Sequence, residues 1–234
     1  MSTAIVKTRL ALDVVLRWPS QAAKQWATSA LGSIALRPET AAIVAIGSGV
    51  RPSHHRNSDV DFLIITDLDN QTFVERPIDV DLRLFRSCDV ERQLSEGNDL
   101  LGWAARFGRS VFDPRYYWEN LKARWADRLP LPSPDPSMAM ALRFEGFARE
   151  LFSIGDLDAA LEQVIAMLTH KSRATLLRAG VYPASRPELP GQLQNIGENQ
   201  LADWLHRALI RRQIAPAVLR ELNLPSNDPA QPAR

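Results

Sequence analysis

Cysteine is almost absent from this sequence: Cys88 is the single one among 234 residues. A lone cysteine closes no internal disulfide, so the chain is not a disulfide-stapled scaffold, and a reducing compartment is expected. A surplus of charge is missing as well, since 28 Lys and Arg face 27 Asp and Glu. At a formal net charge of +1 there is no broad basic surface for gripping a phosphate backbone along its length, though a local patch is compatible with it. Long apolar runs are lacking too. The most apolar stretch, Ala41 to Ile46, falls far short of the roughly 20 residues a spanning helix requires. Lys7, Arg9, Asp13 and Arg17 interrupt the apolar residues of the N-terminal stretch, so it does not read as a signal-peptide core. These absences point to a soluble cytoplasmic protein. What is there has ordinary globular balance, 45% hydrophobic and 24% charged, with length for one or two domains.

Apolar residues at Ile5, Leu10, Leu12, Val15 and Leu16 predict an imperfect helix from about Thr3 to Arg17, ended by Trp18-Pro19. Ser20 can cap a second helix running to about Leu36. Ala41 to Ile46 reads as a strand buried on both faces, and Asp59 to Ile65 as another. Ile78 to Phe85 alternates like a third strand with one wet face. Only the twelve residues Thr66 to Pro77 separate these last two, which favours antiparallel pairing over a crossover. From Ser87 to about Gly108 the spacing is helical, VFDP is a short apolar piece before a turn, and Tyr116 to Leu129 is another helix. Pro130 to Pro136 holds four prolines in seven residues and reads as a stiff linker. Beyond it, Ser137 to Arg178 predicts two helices broken near Gly155 and capped by Asp156, and Leu201 to Arg212 and Pro216 to Leu222 are the final helices. The expected class is α+β. A small mixed-sheet domain occupies residues 1–129, a Pro-rich linker residues 130–137, a helical substrate or accessory bundle residues 138–224 and a flexible tail residues 225–234.

The chemistry concentrates in IGSGVRPSHHRNSDVDFLII and IDVDLRLF. Asp59 and Asp61 are two apart on a strand, so both carboxylates share one face. Like charges that close resist ionising unless a cation lies between them, and a hard divalent ion such as Mg²⁺ takes oxygen ligands of this kind. Asp79 and Asp81 repeat the spacing on the next strand. Three or four converging carboxylates suit two metal ions clamping a phosphoryl group. Gly47 and Ser48 follow the first strand directly. Glycine lets the backbone approach a ligand, a helix starting there would aim free N–H groups at an anion, and the Ser48 hydroxyl can donate to a phosphate oxygen. Arg51 adds charge nearby, and His54, His55 and Arg56 lie in the same loop. One side asks for phosphate and the other for metal, which describes phosphoryl or nucleotidyl transfer.

Gly47, Ser48, Arg51, Ser58, Asp59 and Asp61 resemble the Gly-Ser-x-Ala-Arg-Gly and Ser-Asp-x-Asp signature of the nucleotidyltransferase superfamily that includes DNA polymerase beta and small adenylyltransferases. Val50 replaces the usual Ala and Pro52 the usual Gly. The resemblance covers about Ala41 to Phe85, and the C-terminal helices are similar to the four-helix domain attached to such transferases. It implies that Asp59 and Asp61 bind both metals and that a third carboxylate, Asp81 or its competitor Asp79, binds the metal activating the attacking hydroxyl. Gly47 and Ser48 would hold the triphosphate, with Arg51 beside them. It also implies a helical-domain lysine on the triphosphate, for which Lys171 is the candidate, and a helical-domain glutamate as general base, for which Glu145 is the candidate. The cofactors so implied are Mg²⁺ and a nucleoside triphosphate, ATP first. AMP would pass to a hydroxyl of a small molecule or protein rather than of a nucleic acid. The rival reading is a non-catalytic or regulatory nucleotide-binding module working through protein partners, as antitoxins do.

Overall fold

The computed structural model describes residues 10–52, 59–68 and 75–222. Ser58, His54, His55, Arg56 and the tail at 225–234 lie outside the described residues. The chain divides into two units, Met1–Pro132 and Ser133–Arg234.

The first unit is a four-stranded mixed sheet with helices around it, in the order β3-β2-β1-β4. β1 (Thr40–Ile46) and β2 (Val60–Thr66) pair antiparallel at its centre. Ile43, Val44, Phe62, Leu63, Ile64 and Ile65 are fully buried, which is why these strands read as continuous apolar runs rather than alternations. β4 (Arg109–Phe112) pairs antiparallel with β1; it takes in only Val111 and Phe112 of the VFDP piece, and four residues leave no period to read.

β3 (Val80–Phe85) lies along β2 in parallel, with Val60 beside Val80 and Asp61 beside Asp81. The antiparallel pairing expected from the short connection is therefore corrected. Residues 67–79 form that connection. Returning along a strand of six or seven residues means spanning roughly 20 Å, and thirteen residues reach about twice that. A crossover needs chain length and not necessarily a helix.

The described part of the N-terminal stretch is a 3₁₀ turn at Leu12–Val14 and not the expected helix; Leu16 N donates to Gly49 O at 3.0 Å, fixing this stretch over the turn after β1. α1 (Gln21–Trp26) starts on the Ser20 cap, whose hydroxyl accepts from Ala23 N at 3.0 Å. It continues through a π-helical stretch, Ala27–Leu31, into α2 (Gly32–Ala35). The helical spacing from 87 to 107 is two helices, α3 (Ser87–Ser95) and α4 (Asp99–Phe107), with Asn98 capping the second by accepting from Leu101 N. α5 (Tyr117–Trp125) follows and buries Trp118 and Leu121 completely.

Among the described residues the second unit is helical. α6 (Pro134–Ser153) begins inside the proline-rich stretch, because prolines in the first turn give up N–H groups that have no helical partner there, and Ser133 caps it. α7 (Leu157–Arg178) starts on Asp156, whose carboxylate accepts from Ala159 N at 3.1 Å. α8 (Leu189–Asn195), α9 (Asn199–His206) and α10 (Pro216–Glu221) close the bundle around Val164, Leu168, Leu176, Leu193 and Leu205.

Gly108, which ends α4, lies against Val44 of β1. A Cβ there would stand 2.6 Å from Ala104 O and 2.9 Å from Val44 Cγ1, and its φ of −66° suits any residue. The cost of a side chain is therefore packing alone. Gly108→Ala is expected to lower stability by about 1–3 kcal/mol, read as a lower urea midpoint at unchanged slope. An unchanged midpoint would mean that α4 can move off β1 freely.

Candidate functional site

The site grows from the sheet register. Asp61 is the second residue of β2, opposite Ile46 on β1 and opposite Asp81 on β3. Residues in register share a face, so Asp61 and Asp81 project together about one strand spacing, roughly 4.8 Å, apart. Asp59 comes just before β2, exposed to solvent. Asp79 comes just before β3, half-buried; its backbone carbonyl accepts from Val60 N at 3.0 Å, and its Oδ1 is buried without a hydrogen-bond partner. Of the two competing carboxylates on this strand, Asp81 stands directly beside Asp61.

The electrostatics follow from that placement. Burial pushes the Asp61 carboxyl from its usual 3.8 to about 6, with the charges of Asp81 and then Asp59 adding to the rise and Arg83 opposing it. Asp81 is held differently. Its Oδ1 accepts from Arg76 Nη1 at 3.0 Å and from Leu82 N at 2.9 Å, and its Oδ2 meets Arg83 Nη2 at 2.5 Å.

Gly47 adopts φ 77° and ψ −166°, a conformation that favours glycine. A Cβ there would overlap Asp61 Oδ2, so glycine is needed for the space as well as for the angle. Ser48–Val50 is a single 3₁₀ turn, and Arg51 is already extended at φ −114° and ψ 146°. The helix expected to start at this turn is not formed. Pro52 explains this, since a residue before proline is driven out of the helical region. The Arg51 guanidinium stacks over the Phe107 ring, 4.6 Å from its centroid, at the end of α4.

Glu145 and Lys171 belong to the second unit. Glu145 lies on α6 in an ion pair with Arg149, and Lys171 lies on α7 with Nζ 5.9 Å from the Trp204 ring centroid. Next to Lys171, His170 stacks on Phe144 at 5.4 Å.

A divalent cation is implied by the resemblance, and its fit can be tested on the residues present. The donor chemistry fits: Asp61 is a buried carboxyl burdened by two neighbouring negative charges, and Asp79 carries an orphaned buried oxygen. The arrangement is not gathered. Among the described residues no group of three or more His, Cys, Asp or Glu is placed to hold a metal ion. Two arginines, Arg76 and Arg83, hold the Asp81 carboxylate instead. Sequence reasoning missed both. Arg83 was within reach of it, being two residues from Asp81 on the same strand face. Arg76 carried no such signal, because its contact depends on the path of the connection.

Residues 31–101 match the family described as nucleotidyltransferase domain, a span that holds Gly47, Ser48, Arg51, Asp59, Asp61, Asp79 and Asp81. No curated protein matches the chain. Among solved structures, a nucleotidyltransferase-like protein from Exiguobacterium sibiricum aligns over 86% of this chain and 70% of its own, at 21% identity and a TM-score of 0.41. No helix among the described residues is long and apolar enough to cross a membrane.

The raised Asp61 carboxyl makes a prediction about stability. The folded state holds this proton more tightly than the unfolded state does, so the penalty for a buried anion is complete above about pH 6 and disappears towards pH 4. In buffer free of divalent cations, Asp61→Asn is expected to stabilise the fold by about 1–3 kcal/mol at pH 7.5. The gain should vanish near pH 4 in urea titrations. An equal gain at both pH values would show that charge is not the cause.

Proposed function

We propose that this chain is a Mg²⁺-dependent nucleotidyltransferase that moves a nucleoside monophosphate, AMP from ATP first, onto a hydroxyl group. The observation that carries the reading is the Asp61–Asp81 pair in register beside Gly47, inside a span that matches a nucleotidyltransferase domain. Such a domain supports nucleotidyl transfer as the general activity.

In this reading the Gly47–Ser48 turn receives the triphosphate, with the Ser48 hydroxyl donating to a phosphate oxygen and Arg51 adding positive charge beside it. Asp59, Asp61 and Asp81 are the residues that would hold divalent cations, with Asp79 next to them. A cation there supplies charge neutralisation to the phosphates and acidifies the attacking hydroxyl. The acceptor oxygen forms a bond to the α-phosphorus, the bond to the pyrophosphate oxygen breaks, and the acceptor proton goes to a base. Glu145 as that base and Lys171 as a triphosphate contact belong to the same proposal. The acceptor class is a small molecule or a protein side chain, in keeping with the near-neutral net charge.

The test is calorimetric titration of a non-hydrolysable ATP analogue with and without Mg²⁺, on the wild type and on Asp61→Asn. Binding should require the metal and weaken at least tenfold in the variant. Failure to bind analogues of any of the four nucleotides would overturn the enzyme reading and direct attention to protein partners.

A further inference from the structure

Asp81 is neutralised by protein side chains among the described residues. Arg76 and Arg83 approach different oxygens of it, at 3.0 and 2.5 Å, from the incoming connection and from its own strand. Asp61, one strand over, has no comparable ion pair among the described residues and carries the electrostatic burden instead. Asp81 stays in register beside Asp61, with its oxygens taken up by guanidinium groups. We propose that Arg76 and Arg83 are positioning residues that stand in for a cation at Asp81 and must release it before a divalent ion can be bound. This rests on the reading that Asp61 and Asp81 form a metal-dependent nucleotidyl-transfer site.

The arginines and a metal ion compete for the same lone pairs. Asp81 Oδ1 accepts from both Arg76 and Leu82 N and Oδ2 meets Arg83, so a metal ion finds at most one lone pair open, beside two positive charges. The clamp is also suited to letting go. The side chains of Arg76 and Arg83 are 47% and 57% exposed, and that of Asp81 is 29% exposed, so water solvates the partners as they part. Ion pairs of this exposure are weak, and a divalent ion shared between Asp61 and Asp81 relieves the like-charge repulsion that the arginines leave at Asp61. The consequence is a tax on metal affinity: the competent arrangement is only part of the population, and the apparent affinity falls by that fraction.

The probe is Mn²⁺ alone, with free ion counted by electron paramagnetic resonance on the full chain. Arg76→Gln/Arg83→Gln is expected to bind Mn²⁺ about three- to tenfold more tightly than the wild type, and Arg83→Gln alone by a smaller factor. Loss of two positive charges would also favour a cation through space, so the decisive arm repeats the double change in an Asp81→Asn background. Release of a clamp predicts less than a twofold change there, because the carboxylate being competed for is gone. An equal tightening in that background overturns the clamp, as does unchanged affinity in the wild-type background. Either result leaves the nucleotidyl-transfer reading standing provided Asp61→Asn abolishes Mn²⁺ binding. If neither the wild type nor the double variant binds Mn²⁺, both the clamp and the transfer reading fall. The substitutions lie at exposed side chains, and unchanged circular dichroism and urea midpoints confirm that the fold is intact.

Discussion

Two carboxylates, Asp61 and Asp81, are forced side by side by the parallel register of β2 and β3, and most of the first unit can be understood as holding that unfavourable contact in place. β2 is buried over nearly its whole length, so it cannot slip by one residue without turning its apolar set to the wrong face. β1 locks it from the other side through six registered pairs ending at Ile46 and Asp61. Between them these strands supply the stabilisation that lets a carboxyl with a pKa near 6 remain where it is. A charge repulsion that a sheet core maintains is a site built against local stability, which is how functional sites differ from the rest of a fold.

The turn after β1 shows the same economy of space. Gly47 has to be glycine twice over, for its positive φ and because Asp61 Oδ2 occupies the place of a Cβ. The backbone of the turn is thus pressed against the carboxylate, and any anion reaching the turn arrives at a point where a cation is also wanted. Pro52 then limits the turn to one 3₁₀ winding, and the N-terminal stretch seals it from behind through Leu16 and Gly49. What would have been a helix N-terminus is a tight loop whose N–H groups are set by proline and glycine rather than by a helix dipole.

Much of this was legible in the sequence, and the limits have physical causes. Strands buried on both faces announce themselves as β-rich apolar runs, so β1 and β2 could be read directly, and the caps Ser20 and Asp156 could be read from side-chain chemistry at the start of periodic segments. The i, i+2 spacing of carboxylates marked Asp59, Asp61, Asp79 and Asp81 as candidates, but β2 and β3 begin at Val60 and Val80, so Asp59 and Asp79 lie just outside the strands. Strand direction could not be obtained this way, because a thirteen-residue connection is long enough for either sense. β4 was too short to show a period. The difference between Asp79 and Asp81 lies in register, a property of two strands together, and the arginines on Asp81 depend on it as well.

That dependence gives β3 a double character. It is an edge strand of the sheet among the described residues, and charged side chains are one way such an edge is protected from pairing with another chain. Arg83 is such a residue, exposed and charged on the outermost strand. The same guanidinium opposes the rise in the Asp61 pKa and grips Asp81. A single side chain therefore protects an edge, lowers the electrostatic cost of an empty acidic site and competes with whatever cation would fill it. These three effects cannot be tuned separately. Strengthening the hold of Arg83 on Asp81 would make the metal-free protein more stable and the metal site weaker, so the modest strength of a half-exposed ion pair is itself what a site of this kind requires.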